Sequence, residues 1–123
     1  MRPKGNFQGC YPGRAFIETL ILWIIHRQPL HGYGVRKKIE QITEGNYIPK
    51  PGAVYTILRR MERKGLLASR WKERTGKRDR RVYHITEEGE GLLRARLAVM
   101  RERIRLLEQM VSYYNSVFLE RQE

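Results

Sequence analysis

The sequence contains a single cysteine and no long apolar run. Cys10 is the one cysteine among 123 residues, so no internal disulfide can form, and a lone thiol is typical of a reducing compartment. The longest apolar run, Leu20 to Ile25, has six residues, whereas a helix that spans a bilayer needs about 20. The first residues lack the apolar segment of a secretion signal. We therefore expect a soluble, cytoplasmic protein with no membrane partner.

The sequence also lacks the residue patterns of an enzyme or a metal site. The histidines His26, His31 and His84 are scattered, with no cysteine or carboxylate at the spacing that a zinc site needs. No nucleophile–base pair, glycine-rich phosphate loop or carboxylate dyad stands out. We expect neither catalysis nor a bound metal or cofactor.

Acidic residues are scarce relative to basic ones. Lys and Arg total 25 against 13 Asp and Glu, a formal net charge of +12. Such an excess destabilises the folded state through self-repulsion, so a polyanionic partner is its simplest explanation. Charge alone does not choose among DNA, RNA and anionic lipid. Hydrophobic residues make up 41% of the chain, enough for one folded domain.

The first half of the chain predicts three helices. Residues 14–27 are nearly all apolar, so a helix there must be covered on several sides, and we expect a second subunit to supply part of that cover. Pro29 ends it, and a second helix is predicted over 31–44, with a left-handed stop at Gly45. Pro51 suits the first position of a third helix.

The third helix has two different sides. One side is apolar at helical spacing and must face the core, with Val54, Ile57, Leu58 and Met61. The other side combines small residues with arginines, which suits a surface pressed against nucleic acid. That side carries Gly52, Thr56, Arg59 and Arg63, with Ala53 and Arg60 alongside.

A break at Gly65 is followed by a predicted hairpin. Its strands run over 66–72 and 80–85, joined by a turn at Gly76, and seven basic but two acidic residues lie between Arg70 and Arg81. Thr86 is then expected to cap a last helix that has acidic residues in its first turn. A helix followed by a cationic hairpin is the pattern of a winged helix-turn-helix, which makes DNA the leading candidate partner.

The last helix has the sharpest periodicity in the chain. Its apolar residues are spaced alternately four and three apart, the pattern of helix-on-helix pairing. One short domain offers no partner of that length, so we interpret the row as a homodimer contact and name it the C-terminal stripe. The stripe consists of Leu93, Leu97, Met100, Ile104, Leu107, Val111, Tyr114 and Phe118. Phe16 and Leu20 of the first helix are expected to join it.

These motifs resemble the PadR family of bacterial transcriptional regulators. The matching segments are PLHGYGVRKKIE at 29–40, PKPGAVYTILRRMERKGLL at 49–67 and RRVYHITEEGEGLL at 80–93. The resemblance implies a two-fold dimer whose third helices enter successive major grooves of a pseudo-palindromic operator, and repression that a small molecule relieves. It also implies backbone contacts at Tyr33 and Tyr55. Some short members stack aromatic drugs between paired tryptophans, a position occupied here by Met100, so Trp23 and Met100 remain the candidates for an effector site.

The expected organisation is therefore mostly α with a β-hairpin wing. It comprises an amino-terminal arm (1–13), a winged helix-turn-helix (14–86), a dimerisation helix (87–119) and a tail (120–123). The expected DNA contacts are Tyr33, Lys50, Ala53, Tyr55, Thr56, Arg59, Arg60, Lys77, Arg78, Arg80 and Arg81.

Plainer interpretations stay open at this stage. The basic hairpin can be a solvated loop, the two tyrosines can be packing residues, and Trp23 can belong to the core. A non-specific architectural or RNA-binding protein would also explain the charge, although no run of aromatics is placed to stack bases. A third possibility is an adaptor that recruits a protein through its last helix.

Overall fold

The computed structural model describes residues 13–75 and 78–119, and within these the side chains of 13–71 and 81–119. The predicted tail and all but Gly13 of the predicted arm lie outside the described residues. The chain divides into two compact units, one up to Leu93 and one from Arg94 onward. The elements in chain order are α1 (Arg14–Arg27), β1 (Leu30–His31), α2 (Gly32–Ile42), α3 (Pro51–Arg63), β2 (Leu67–Thr75), β3 (Arg78–Ile85) and α4 (Glu87–Tyr114), followed by a π-helical turn (Asn115–Leu119).

The predicted fold class is confirmed, since a small antiparallel sheet lies among helices that make up most of the chain. The strands lie in the order β1-β3-β2. β2 and β3 form the predicted hairpin, with Ser69 opposite Tyr83 and Trp71 opposite Arg81. Both strands reach further toward the turn than predicted, and their register shifts between Lys72 and Thr75. The predicted turn residue Gly76 lies outside the described residues.

Strand β1 was not predicted. Leu30 pairs with Tyr83 and His31 with Val82, so the segment after α1 forms the third strand of the sheet. Two residues are too short for an alternating pattern to show. The predicted start of α2 at His31 is also wrong by one residue, because His31 is the cap: its Nδ1 accepts a hydrogen bond from the Gly34 amide at 3.1 Å.

The other predicted helix boundaries mostly hold. α2 ends at Ile42 rather than at residue 44, with Gly45 at φ 79° as the predicted left-handed stop. Pro51 occupies the first turn of α3 as predicted. Thr86 caps α4, since its hydroxyl accepts from the Gly89 amide at 3.0 Å and donates to the Gly65 carbonyl at 2.6 Å.

The core lies in the unit up to Leu93 and corrects the expectation for α1. Helix α1 buries eight of its 14 residues within a single copy of the chain, so its own unit supplies most of the cover that was expected from a second subunit. Phe16 and Trp23 stay 44% and 37% exposed, and a contact of α1 with a second subunit stays a prediction. Leu20 and Leu93, predicted for the dimer contact, are 8% and 4% exposed and belong to this core. The buried hydrophobic residues are Ile17, Leu20, Ile21, Leu22, Ile24, Ile25, Val35, Ile39, Val54, Leu58, Met61, Leu67, Tyr83 and Leu93.

The unit from Arg94 onward is helical and buries almost nothing. Beyond Leu93 every apolar residue of α4 except the half-buried Met100 is exposed. The π-helical turn brings Phe118 against Tyr114, with ring centroids 6.0 Å apart. In the part of the chain that the structure describes, no helix is long and apolar enough to cross a membrane.

Candidate nucleic-acid interface

Helix α3 directs two chemically different sides inward and outward. Val54, Leu58 and Met61 are at most 2% exposed and fix the helix on the core. The predicted outer side is free of the core. Its exposed residues are Gly52, Ala53, Tyr55, Thr56, Arg59 and Arg63. The small residues near the start of α3 would let a ligand surface approach closely. The arginines toward its end would attract negative charge on that ligand.

The loop before α3 holds the helix at a fixed angle to α2. The Arg36 Nε donates to the carbonyl of the buried Pro49 at 2.8 Å. The Thr43 hydroxyl accepts from the Tyr47 amide at 3.2 Å and donates to the Ile39 carbonyl at 2.8 Å. The loop is therefore tied at both ends, and the exposed Lys50 stands at the cap position of α3.

Tyr33 and Tyr55 each lie near the residue where α2 begins. The Tyr55 ring lies against Gly32, so that a side-chain carbon at this glycine would collide with it. Tyr33, one residue further on, is 56% exposed, and the Lys37 ammonium lies 5.8 Å from its ring centroid. Both hydroxyl-bearing rings are thus exposed beside the amino-terminal end of α2, where backbone N–H groups favour an anion.

The remaining predicted contacts on α3 differ in availability. The Thr56 hydroxyl donates to the Gly52 carbonyl at 2.9 Å, which leaves its oxygen as an acceptor. Arg59 is exposed. Arg60 is half-buried, and among the described residues its Nε is buried without a hydrogen-bond partner. Arg59 is therefore the better placed of the two to reach a ligand outside the chain.

The base of the hairpin contacts α3 through a group of side chains that we name the wing-base cluster: Glu62, Ser69, Trp71 and Arg81. The Ser69 hydroxyl donates to the Glu62 carboxylate at 2.7 Å. The Arg81 guanidinium lies 3.8 Å from the same carboxylate and 4.5 Å from the centroid of the Trp71 ring. Of the other predicted wing residues, Lys77 lies outside the described residues, as do the side chains of Arg78 and Arg80.

Tyr83 lies next to this cluster, and the charges of the cluster change the pKa of its hydroxyl. Burial raises the pKa of the Tyr83 hydroxyl above its ordinary 10.0, and the negative charge of Glu62 raises it further. The positive charge of Arg81, a hydrogen bond from Arg81 and the charge of Arg59 oppose that rise. Arg59 and Glu62 of α3 and Arg81 of β3 therefore all act on the Tyr83 hydroxyl.

The sequence interpretation did not identify Glu62, Ser69 and Trp71. Ser69 and Trp71 follow Leu67 at every second position of β2, so they share its side of the strand. That alternation was a usable signal, because Leu67 had to face the core. Nothing in the pattern indicated that Glu62, the one acidic residue of α3, would bind a strand rather than water.

The predicted dimer and effector residues fall into two groups. Leu20 and Leu93 are buried, as described above, whereas Phe16 and Trp23 on α1 are 44% and 37% exposed. The Arg27 guanidinium lies 5.4 Å from the Trp23 ring centroid. Within the C-terminal stripe, Met100 is half-buried. The six stripe residues that are between 41% and 55% exposed are Leu97, Ile104, Leu107, Val111, Tyr114 and Phe118.

Known proteins resemble this chain over the region just described. Residues 21–95 match the model of the transcriptional regulator PadR-like family. The Escherichia coli protein called transcriptional regulator YqjI is 32% identical over 99 residues, which are 80% of this chain and 44% of that protein. The chain thus spans less than half the length of this relative.

Solved structures share the fold. A PadR family transcription regulator from Clostridium difficile is 27% identical, with a TM-score of 0.66 over 78% of this chain and 98% of its own. Bacillus subtilis PadR, solved in complex with operator DNA, is 20% identical, with a TM-score of 0.60 over 66% of this chain and 46% of its own. At that identity the second likeness shows the fold alone.

Proposed function

Because the chain belongs to the PadR-like family of transcriptional regulators, we propose that it is a homodimeric, sequence-specific DNA-binding repressor. The observation that carries this proposal is the outer side of α3, which is exposed, small near its start and cationic toward its end. Glu62, the one acidic residue of this helix, is bound by Ser69 and paired with Arg81. The surface therefore presents positive charge without a free carboxylate on the same helix.

The proposed contacts divide into reading and positioning contacts. Thr56 and Arg59 are proposed to reach base edges in the major groove, with Ala53 permitting close approach. Lys50, Tyr33 and Tyr55 are proposed to bind the backbone, together with Arg60 and the wing residues Lys77, Arg78 and Arg80. Phosphate contacts position the helix, and a few base contacts supply the sequence preference.

A dimer is proposed because the C-terminal stripe stays exposed in a single chain. Six apolar side chains in one row, each about half exposed, form a contiguous patch of the kind that marks an interaction site. Pairing two such rows removes both from water, and heptad spacing favours helix-on-helix packing. Phe16 of α1 is proposed to extend the contact. Two copies related by a two-fold axis would present two α3 helices to one duplex.

A small aromatic effector is the proposed means of relief. Trp23, the tryptophan of α1, is partly exposed, and Met100 occupies the position of the family's stacking tryptophans. Since Met100 cannot form a flat stack, we propose Trp23 and the flexible Met100 thioether as separate candidate contacts for the effector, one in each unit. Binding there would change the distance between the two α3 helices and so weaken the fit to two half-sites.

Selection of bound duplexes from a random pool tests the proposal. We expect an enriched motif with two-fold symmetry and half-sites about one helical turn apart, roughly 34 Å centre to centre. Single-stranded RNA at equal concentration should compete poorly, because no run of aromatics in the sequence is placed to stack bases. Equal affinity for all duplexes at physiological salt would contradict sequence-specific regulation and favour a non-specific architectural role.

A further inference from the structure

The guanidinium of Arg81 is held within the protein on several sides. Its Nη1 lies 3.8 Å from a Glu62 carboxylate oxygen. Its guanidinium carbon lies over the Trp71 ring, 4.5 Å from the centroid, and its positive charge opposes the raised pKa of the neighbouring Tyr83 hydroxyl. A cation over an aromatic ring, with a carboxylate 3.8 Å away, is attracted by two groups of its own chain.

These contacts join different elements. Glu62 belongs to α3, Trp71 to β2, and Arg81 and Tyr83 to β3. Ser69 of β2 binds the second oxygen of the Glu62 carboxylate at 2.7 Å. The wing-base cluster therefore connects the last turn of the recognition helix to both strands of the wing, at the point where the wing leaves the core.

We infer that Arg81 serves the DNA interface as a positioning residue, which fixes the base of the wing on the recognition helix through Glu62 and Trp71. It does not bind a phosphate. This inference rests on the proposed function and replaces one of the DNA contacts expected from the sequence. Phosphate binding by the wing is then left to the cations that precede Arg81 in the sequence, Lys77, Arg78 and Arg80.

The physical reason is the local balance of charge. A lysine or arginine contributes to DNA affinity by replacing counterions at a phosphate, and the gain depends on an unneutralised charge. Arg81 is already paired, and moving it to a phosphate would leave the Glu62 carboxylate next to DNA. Orienting the wing before DNA binds instead lowers the ordering cost of association.

The variant Glu62→Gln separates the two roles by the sign of its effect. The glutamine amide keeps an oxygen for the Ser69 hydroxyl and removes only the charge that holds Arg81. If Arg81 positions the wing, operator affinity should fall about threefold to tenfold, which lies in the lower part of the range for coupled residues. If Arg81 binds phosphate, affinity should rise, because a negative charge near a polyanion has been removed. That rise would overturn the inference.

A matched control and a second variant complete the test. Glu44→Gln removes an exposed carboxylate in the loop between α2 and α3 and should change affinity by no more than about twofold. Arg81→Gln should lower affinity but leave the slope of log affinity against log salt unchanged. Arg78→Gln should reduce that slope by about 0.9 per lost phosphate contact. A reduction of the same size in Arg81→Gln would overturn the positioning role.

A measurement on the free protein keeps this inference separate from the proposed function. The chain has two tryptophans, so the Trp23→Phe variant reports on Trp71 alone. Adding Glu62→Gln, which does not touch that ring, should shift the Trp71 emission, because Arg81 loses its anchor. An unchanged spectrum would contradict the wing-base cluster. If the unmodified protein selected no duplex at all, the proposed function would fail, and the spectrum would still decide on the cluster.

Discussion

The two most apolar stretches of this chain, helix α1 and the C-terminal stripe of α4, are treated differently by the fold. Ile21 and Leu22 of α1 are 0% exposed, whereas stripe residues such as Ile104 and Leu107 are 51% and 54% exposed. A helix that is apolar on nearly every side is covered by its own chain here. A helix with one long apolar row is left uncovered. The first pattern belongs to a core, and the second favours a partner outside the chain.

The sharpest way to break this comparison is Leu107→Asp in the C-terminal stripe. Each leucine buried in a pairing contact contributes about 1.5–3 kcal/mol, and a dimer loses two of them. The dissociation constant should therefore rise at least about a hundredfold. Sedimentation velocity at several concentrations measures it. The matched control, Gln109→Asp on the polar side of α4, should remain dimeric, and a dimeric Leu107→Asp would refute the stripe as the contact.

Truncating a buried side chain of α1 should lower the stability of the fold and leave the assembly of the dimer unchanged. Ile21→Ala creates a cavity in a fully buried site and should lower the free energy of unfolding by about 2–5 kcal/mol. Urea denaturation measures this loss. Sedimentation under conditions where the variant is fully folded should show an unchanged oligomeric state. Ile104→Ala, the same substitution in the stripe, should show the reverse. A loss below about 1 kcal/mol for Ile21→Ala would mean that the core is loosely packed.

Changing the outer side of α3 should alter neither the stability of the fold nor the assembly of the dimer. Arg59→Ala should cost about 1–3 kcal/mol of operator affinity and relax base preference at one position per half-site, if the contact to guanine is bidentate. Binding to a set of single-base operator variants measures both effects. Arg63→Ala, one turn further along the same side, should leave base preference intact. A uniform loss across all the operator variants for Arg59→Ala would make it a phosphate contact.

The smallest expected effect is the alkaline titration of Tyr83. Its pKa is raised above 10.0 in the folded protein, chiefly by burial. The stability associated with the neutral hydroxyl is therefore fully present below pH 10.0 and is lost as the pH rises through the folded pKa, because the unfolded tyrosine ionises first. The free energy of unfolding should fall more steeply above that pH in the natural protein than in Tyr83→Phe. Parallel curves would show that Tyr83 ionises equally easily in both states.

Periodic features of the sequence predicted most of the fold. The inward side of α3, the proline at its start, the Thr86 cap and the hairpin each follow from local spacing or turn chemistry, and all appear in the structure. Strand β1 could not be predicted, because a strand of two residues shows no alternating pattern. The extent to which the chain itself covers α1 could not be predicted, because the number of elements available to pack on it depends on tertiary structure.

The candidate site was predictable in part for the same reason. The exposed arginines and small residues of α3 follow from the apolar residues opposite them. The wing-base cluster could not be predicted in this way, because it joins Glu62 to residues of two strands through contacts that depend on strand register. In the sequence Arg81 is one more basic residue of a basic hairpin, and its contacts with Glu62 and Trp71 appear only in the structure.

The central claim is that two chains, joined through their C-terminal stripes, place two α3 helices on one duplex. Hydroxyl-radical footprinting of a selected operator, with the number of bound chains determined by sedimentation of the same complex, tests it most directly. We expect two bound chains and two protected half-sites roughly 34 Å apart on one side of the duplex. One bound chain that protects a single half-site with undiminished sequence preference would contradict the claim.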